Sequence, residues 1–266
     1  MLAGMLAALT RPPEGFHAPG TEIFDYTDSC IIGSGNYCVT RISFWMLMSA
    51  VIIGAVFIVA FRKPTIVPRG IQNAVEALVD FIRNGIVMEV IGKEGLPFLP
   101  FLTSLFVFIW VNNLYGIIPG INFPTTARMA IPLFLALLVW FIFNIVGIVK
   151  QGGFHYLKNT LFPPGVPKPI FILYTPIEFV SVFILRPLTL SVRLTANMMA
   201  GHLMLTIFFV ATWYLQWKLV SIPIAALSFT LGTLITGFEV LVGVLQAYIF
   251  TILTAVYIAG AIHPEH

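Results

Sequence analysis

Residues 170–217 read IFILYTPIEFVSVFILRPLTLSVRLTANMMAGHLMLTIFFVATWYLQW, and residues 219–262 read LVSIPIAALSFTLGTLITGFEVLVGVLQAYIFTILTAVYIAGAI. Both stretches are almost unbroken apolar sequence, and each has more than 40 residues. A helix of that length extends about 60 Å, whereas the hydrocarbon core of a bilayer is about 30 Å thick. Because neither stretch has tight-turn chemistry at its centre, we predict two long, strongly tilted membrane helices rather than two hairpins.

The composition of the whole chain points the same way. Of its 266 residues, 59% are hydrophobic and 9% are charged, whereas a soluble domain carries roughly 25% charged residues. A soluble fold cannot bury this much apolar surface, so lipid must cover it. The formal net charge is only +3 and the basic residues form no cluster, which argues against nucleic acid as a partner. We therefore predict an all-α integral membrane protein.

Three shorter spans are predicted ahead of the long helices, at 43–61, 100–119 and 129–149. Between the first two, the segment 71–91 is amphipathic, and its charged residues count against a further span. We predict that it is an interfacial helix on the inner membrane surface. Its apolar residues at helical spacing are Val75, Leu78, Val79, Ile82 and Ile86.

The distribution of charge predicts the orientation of the chain. Residues 1–42 are expected to form an extracytoplasmic segment, followed by a single membrane domain over 43–266. Acidic residues are common before the first span, and Arg62, Lys63 and Arg69 follow it. Since basic residues mark the cytoplasmic flank, the N-terminus is expected outside and the C-terminus inside. No signal or transit peptide is apparent, so we expect a bacterial plasma membrane, with the mitochondrial inner membrane as the alternative.

The only two cysteines, Cys30 and Cys38, fall in the predicted outer segment. Disulfides persist on that side of a membrane, so the two residues form a candidate disulfide. Two cysteines alone do not make a zinc site. We expect no metal and no cofactor.

Ionisable residues inside the two long helices are expected to carry the chemistry. A charged side chain at the centre of a bilayer costs about 2.5–3.5 kcal/mol on insertion scales. Such side chains must therefore face protein or water. The residues concerned are Glu178, Arg186, Arg193, His202 and Glu239.

Helical phase sorts the polar residues, at about 100° per residue. Asn197 lies one turn beyond Arg193 on the same side of the helix, whereas His202, nine residues from Arg193, lies on the opposite side. Glu239 and Gln246, seven residues apart, share a face of the last helix. Arginine keeps its proton, while histidine and glutamate exchange theirs. The pattern predicts proton movement around a fixed positive charge.

Two separated motifs resemble the signature of subunit a of the F-type ATP synthase. The first is RLTANMMAGH at 193–202, and the second combines Phe238-Glu239 with QAYIF at 246–250. In addition, NNLYGIIP at 112–119 is similar to an earlier membrane hairpin of that family. The likeness covers the chain from about residue 43 to its end.

The resemblance implies a role for each polar residue of the long helices. Arg193 would be the essential arginine that faces a rotating ring of c subunits, each with one carboxylate. His202 and Glu239 would line a half-channel from the outer side, with Asn197 and Gln246 nearby.

A second half-channel would lead to the inner side, and Glu178 and Arg186 are the candidates to line it. Relative to Pro187, Glu178 stands one residue earlier than the acid that many relatives carry, and Phe179 occupies that place here. The implied partners are the c ring, the peripheral-stalk subunit b, the remaining ATP synthase subunits and membrane lipid. Without a phosphate-binding loop in this chain, ATP chemistry would reside in other subunits.

Two other classes of protein also bury ionisable residues in membranes. A secondary ion transporter or channel acting without a rotor would do so, but such proteins usually show internal repeats, and no repeat relates the halves of this sequence. An intramembrane enzyme would need a catalytic motif, and the sequence contains no HExxH, GxSxG or P-loop pattern.

Overall fold

The computed structural model describes residues 20, 30–32, 39–62, 65–118, 125–162, 170–217 and 221–262. Almost all of these residues are helical, as the sequence predicts. The α-helices are α1 (Arg41–Phe61), α2 (Ile71–Ile82), α3 (Leu99–Leu114), α4 (Ala130–Gln151), α5 (Gly153–Leu161), α6 (Phe171–Val180), α7 (Arg186–Leu215) and α8 (Ile222–Ile262). Irregular helical segments are π-helical at Arg83–Ile91 and Ser181–Leu185, and 3₁₀-helical at Lys93–Phe98 and Thr125–Ala127.

A short antiparallel pair of strands precedes α1. Cys30–Ile32 pairs with Val39–Thr40, and Cys30 lies opposite Thr40. Most of the predicted segment 1–42 lies outside the described residues, and so does Cys38. The disulfide between Cys30 and Cys38 therefore stays a prediction.

Five helical segments of the described chain are long and apolar enough to cross a membrane: Ile42–Phe61, Lys93–Leu114, Ala130–Gln151, Phe171–Leu215 and Ile222–Ile262. The two longest confirm the prediction of long continuous helices. Phe171–Leu215 has 45 residues and joins α6 to α7 through the π-helical turn, and Ile222–Ile262 has 41 residues. Neither turns back on itself. Among the described elements, α7 and α8 make the most extensive helix–helix contact.

The second span differs from the predicted 100–119. Its helical structure begins earlier, at Lys93, and α3 ends at Leu114. Gly116 and Ile117 donate their amides to carbonyls three residues back, at 3.2 and 3.0 Å, which closes the helix in a tight turn. Pro100 lies in the first turn of α3. Proline is tolerated there, because a backbone N–H in the first turn of a helix has no hydrogen-bond partner within the helix.

The segment Ile71–Ile91 is helical throughout, and it is not among the five spans. It packs against α3 and α8, with the Phe81 ring 6.3 Å from Phe106 and 5.9 Å from Tyr248. Val75, Ile82 and Ile86 are buried, as their spacing predicts, and Val87 and Ile91 are buried as well. The later positions follow the wider π-helical turn rather than the α-helical period.

Hydrogen bonds between side chains tie α1 to α3. The Asn112 amide donates to Ser49 Oγ at 3.1 Å, and Thr125 donates its hydroxyl to Asn112 Oδ1 at 2.8 Å. All three side chains are fully buried. In an apolar interior such a cluster fixes the positions of α1 and α3 relative to each other, because no water is present to replace these hydrogen bonds.

Replacing Asn112 by Leu should lower stability by about 1–3 kcal/mol, because Ser49 and Thr125 then lose a buried partner. The measurement is an SDS titration of the purified protein in mild detergent. Ser104→Ala is the matched control, since that exposed hydroxyl donates within its own helix, to Phe101 at 2.9 Å. Identical unfolding midpoints for Asn112→Leu and the wild type would contradict this assignment.

Candidate functional site

Arg193 lies midway along the 45-residue helix, with its side chain exposed on the surface of the chain. The same face of α7 carries mostly small or short side chains, all exposed: Thr189, Ala196, Asn197, Ala200 and Met204. Among the described residues, ion pairs form at Lys150–Glu94 and Arg186–Glu178, and Arg193 belongs to neither. Within the described residues, the Arg193 cation thus has no ion-pair partner and lies on a helix face whose other side chains are mostly short.

Glu239 and Gln246 occupy the buried face of α8, each 5% exposed. Gln246 donates its side-chain amide to the backbone carbonyl of Arg193 at 3.3 Å. This bond links α8 to the turn of α7 that carries the arginine. Neither carboxyl oxygen of Glu239 has a hydrogen-bond partner among the described residues.

Gly201 makes room for the Glu239 side chain. A Cβ atom at position 201 would lie 3.2 Å from Glu239 Oε1 and 3.4 Å from its Cδ. The carboxyl group therefore packs directly on the backbone of α7, one residue before His202. A larger residue at 201 would push it away.

His202 lies on the opposite side of α7 from Arg193, as helical phase predicts, and is 3% exposed. Its ring lies close to the backbone of Gly116, in the turn that closes α3. Thr206 donates its hydroxyl to the His202 carbonyl at 2.7 Å, on the next turn of α7. The imidazole is thus held between α7 and the end of α3.

A small cleft of about 10 Å³, enough for roughly one water molecule, brings the polar residues of the two long helices together. It is lined by Asn113, Leu194, Asn197, Met198, Glu239, Val242, Gly243 and Gln246. Three of these, Asn197, Glu239 and Gln246, are site residues predicted from the sequence. The unpartnered carboxyl of Glu239 is the acidic group of the cleft, and Asn197 of α7 and Gln246 of α8 also line it.

Sequence reasoning missed Asn113 as a lining residue, because a membrane asparagine more often joins helices. It does that too: its amide donates to the Gly243 carbonyl at 3.1 Å, and Thr126 donates to its Oδ1 at 2.8 Å. The signal available was its place beside Asn112 in the NNLYGIIP motif.

Glu178 and Arg186 form a second polar site toward the other end of the helix. Arg186 Nη2 lies 3.4 Å from Glu178 Oε1, and both side chains are partly buried. The Arg186 guanidinium also stacks over the Tyr257 ring of α8, with Cζ 5.2 Å from its centroid. The Tyr174 side chain lies close to Glu178, one turn earlier on α6.

The two polar sites flank Arg193 along one helix. Arg186 is seven residues before Arg193 and His202 is nine residues after it, which corresponds to about 10 and 13 Å of helix. Each site contains one carboxylic acid, and the arginine separates them. The described residues contain no group of three or more His, Cys, Asp or Glu side chains that could hold a metal ion.

Comparison with known proteins identifies the family of the chain. The family model described as ATP synthase A chain matches residues 43–259. ATP synthase subunit a of Rhodococcus erythropolis is 44% identical over 267 residues, covering 98% of this chain and 95% of that protein. The Parafrankia sp. subunit a is 42% identical, with 96% and 88% covered, and that of Streptomyces lividans is 39% identical, with 95% and 90% covered. The chain belongs to the ATP synthase A chain family.

Proposed function

We propose that the chain is the proton-translocating stator subunit of a rotary F-type ATP synthase in a bacterial plasma membrane. It supplies two half-channels and does not catalyse ATP chemistry itself. The observation that carries this proposal is the exposed guanidinium of Arg193, midway along an apolar helix, between the buried Glu239 and the partly buried Glu178.

The exposed Arg193 side chain needs a negatively charged partner. A guanidinium at lipid depth costs about 2.5–3.5 kcal/mol or more, and a facing carboxylate offsets that cost. The short side chains beside it, Ala196 and Ala200, allow another helix to approach closely. A ring of c subunits, each with one carboxylate, meets both requirements.

Glu239, His202 and Asn197 form the outer half-channel. The cleft at Glu239 gives a proton a polar route through the contact between α7 and α8, and His202 extends that route to the end of α3. A proton that enters here reaches the ring-facing side near Asn197 and neutralises a ring carboxylate. The neutral site can then rotate into lipid.

Glu178 and Arg186 line the inner half-channel. A ring site that reaches Arg193 gives up its proton, because a nearby cation favours the ionised carboxylate. Glu178 receives the proton and passes it to the inner side. Arg193 also blocks a direct path between the half-channels, so each proton must travel with the ring. One charge that crosses the membrane potential releases about 2.3 kcal/mol per 100 mV.

The orientation follows from the exposed basic residues. Arg62 and Arg69 follow α1, Lys150 lies in the last turn of α4, and His155 and Lys158 lie in the next helix, α5. If these flanks are cytoplasmic, the N-terminus is outside and the C-terminus inside. The peripheral-stalk subunit b and the other subunits then complete the complex around this chain. A transporter acting alone would carry protons without a ring, whereas this chain should not.

Replacing Arg193 by Ala should abolish proton-driven ATP synthesis, because the ring site then keeps its proton and protons can leak directly. The measurement is ATP synthesis by the assembled complex in energised vesicles. Arg128→Ala is the control, since Arg128 is an exposed arginine in the turn before α4. Normal synthesis in the Arg193 variant would refute the central role of that residue.

Gly201→Ala should slow ATP-driven proton pumping about two- to tenfold, because the new methyl group displaces the Glu239 carboxyl by a few tenths of an ångström. Gly237→Ala is the matched control: it lies on α8, and a Cβ there meets nothing within 4 Å. Equal pumping rates in the two variants would mean that the position of Glu239 is unimportant.

Glu178→Gln should reduce both synthesis and pumping by about tenfold or more, because an amide of the same shape cannot carry the proton. Glu94→Gln is the control, since Glu94 is the acid of the surface ion pair with Lys150. If the Glu178 variant pumped at the wild-type rate, the inner path would have to run elsewhere.

A further inference from the structure

The π-helical turn Ser181–Leu185 lies between the two members of the Glu178–Arg186 pair. It interrupts the long helix next to a site where two charged side chains must meet. Such turns are rare in proteins, and those that occur are often found at functional sites. The inference that follows rests on the proposed role of Glu178 in the inner half-channel.

The π-helical turn changes the helical phase between Glu178 and Arg186. Residues seven apart share a face of an α-helix, whereas residues eight apart are turned by about 80°. Glu178 and Arg186 are eight apart and still meet at 3.4 Å. Arg186 donates its amide to the Ser181 carbonyl, five residues back, so the helix absorbs one extra residue here. That extra residue brings Glu178 onto the face of Arg186 and leaves Phe179, 47% exposed, on another face.

Pro187 leaves a backbone carbonyl without its usual donor. The amides that could reach the Val182 carbonyl from the next turn belong to the residues four and five positions on. Arg186 gives its amide to Ser181, and Pro187 has no amide hydrogen. A fully buried carbonyl without a donor costs about 1–3 kcal/mol, so the turn needs a donor from elsewhere.

Trp140 of α4 supplies that donor. Its indole Nε1 donates to the Val182 carbonyl at 3.2 Å, and Val182 is fully buried. The Trp140 ring also packs edge-on against Phe183 in the same turn, with centroids 5.9 Å apart. One side chain thus holds the π-helical turn by a hydrogen bond and by ring contact.

We propose that Trp140 is a positioning residue for the inner proton path. Its indole N–H holds the Ser181–Leu185 turn in the π-helical form, and this turn sets Glu178 in register with Arg186. Trp140 itself does not carry the proton; it acts through Glu178.

The test compares Trp140→Phe with Trp110→Phe in the complete complex in inverted membrane vesicles. Both changes remove an indole N–H and keep an aromatic ring. The Trp110 indole nitrogen is buried and has no hydrogen-bond partner among the described residues. We expect Trp140→Phe to slow ATP-driven proton pumping about fivefold, and Trp110→Phe to leave it unchanged. A wild-type rate in Trp140→Phe would overturn the proposal.

A double variant separates positioning from a general structural effect. If Trp140 acts through Glu178, adding Trp140→Phe to Glu178→Gln causes no further loss of pumping. Independent, multiplying losses would overturn the proposal. A wild-type rate in Glu178→Gln alone would refute the proposed function of Glu178, whereas a slow Glu178→Gln with a normal Trp140→Phe would refute only the positioning role.

If Trp140→Phe fails to assemble, a register variant tests whether the π-helical turn sets the position of Glu178. Exchanging the two neighbours, Glu178→Phe with Phe179→Glu, keeps the composition and turns the acid by about 100°. With the π-helical turn in place, the exchanged chain should lose pumping as Glu178→Gln does. Full activity of the exchanged chain would contradict the proposed register.

Discussion

The structure depends on one electrostatic constraint: a guanidinium fixed at lipid depth on the outside of the chain. Arg193 sits midway along its helix and is exposed, and the chain itself gives it no ion pair among the described residues. A charge in such a place is costly, so we propose that a partner rather than this chain neutralises it. In the function we propose, the buried Glu239 and the partly buried Glu178 on either side of it are the endpoints of two separate proton routes.

Close packing of the two long helices follows from the same constraint. Glu239 of α8 packs close to the backbone of α7, and small residues permit this. Gly201 lies against the Glu239 carboxyl, and a Cβ at Gly243 would be 3.3 Å from Asn113. Gln246 bonds to the Arg193 carbonyl and fixes how far one helix is shifted along the other. The proton chemistry that we propose therefore depends on backbone contacts that carry no charge.

Length and hydropathy were enough to predict the five spans and both long helices, because a membrane leaves few alternatives for such segments. Helical phase also predicted that Arg193 and His202 lie on opposite faces of the helix, and the structure has Arg193 exposed and His202 buried. Three features lay beyond this reasoning. Val87 is buried because the helix changes from an α to a π period; α3 ends at Leu114 because of a tight turn; and Glu178 meets Arg186 through a turn with an extra residue. A fixed 3.6-residue period cannot anticipate such changes. Pro187 was the one sequence signal for an irregular turn between Glu178 and Arg186.

The most direct test of the account is a cross-link between this chain and a c-ring subunit. Ala196 is exposed, one turn from Arg193 on the same face. A cysteine placed there should form a disulfide with a cysteine next to the ring carboxylate in the assembled complex, whereas a cysteine at exposed Phe141 of α4 should not. Absence of the Ala196 cross-link in a correctly assembled complex would contradict the claim that Arg193 faces the ring.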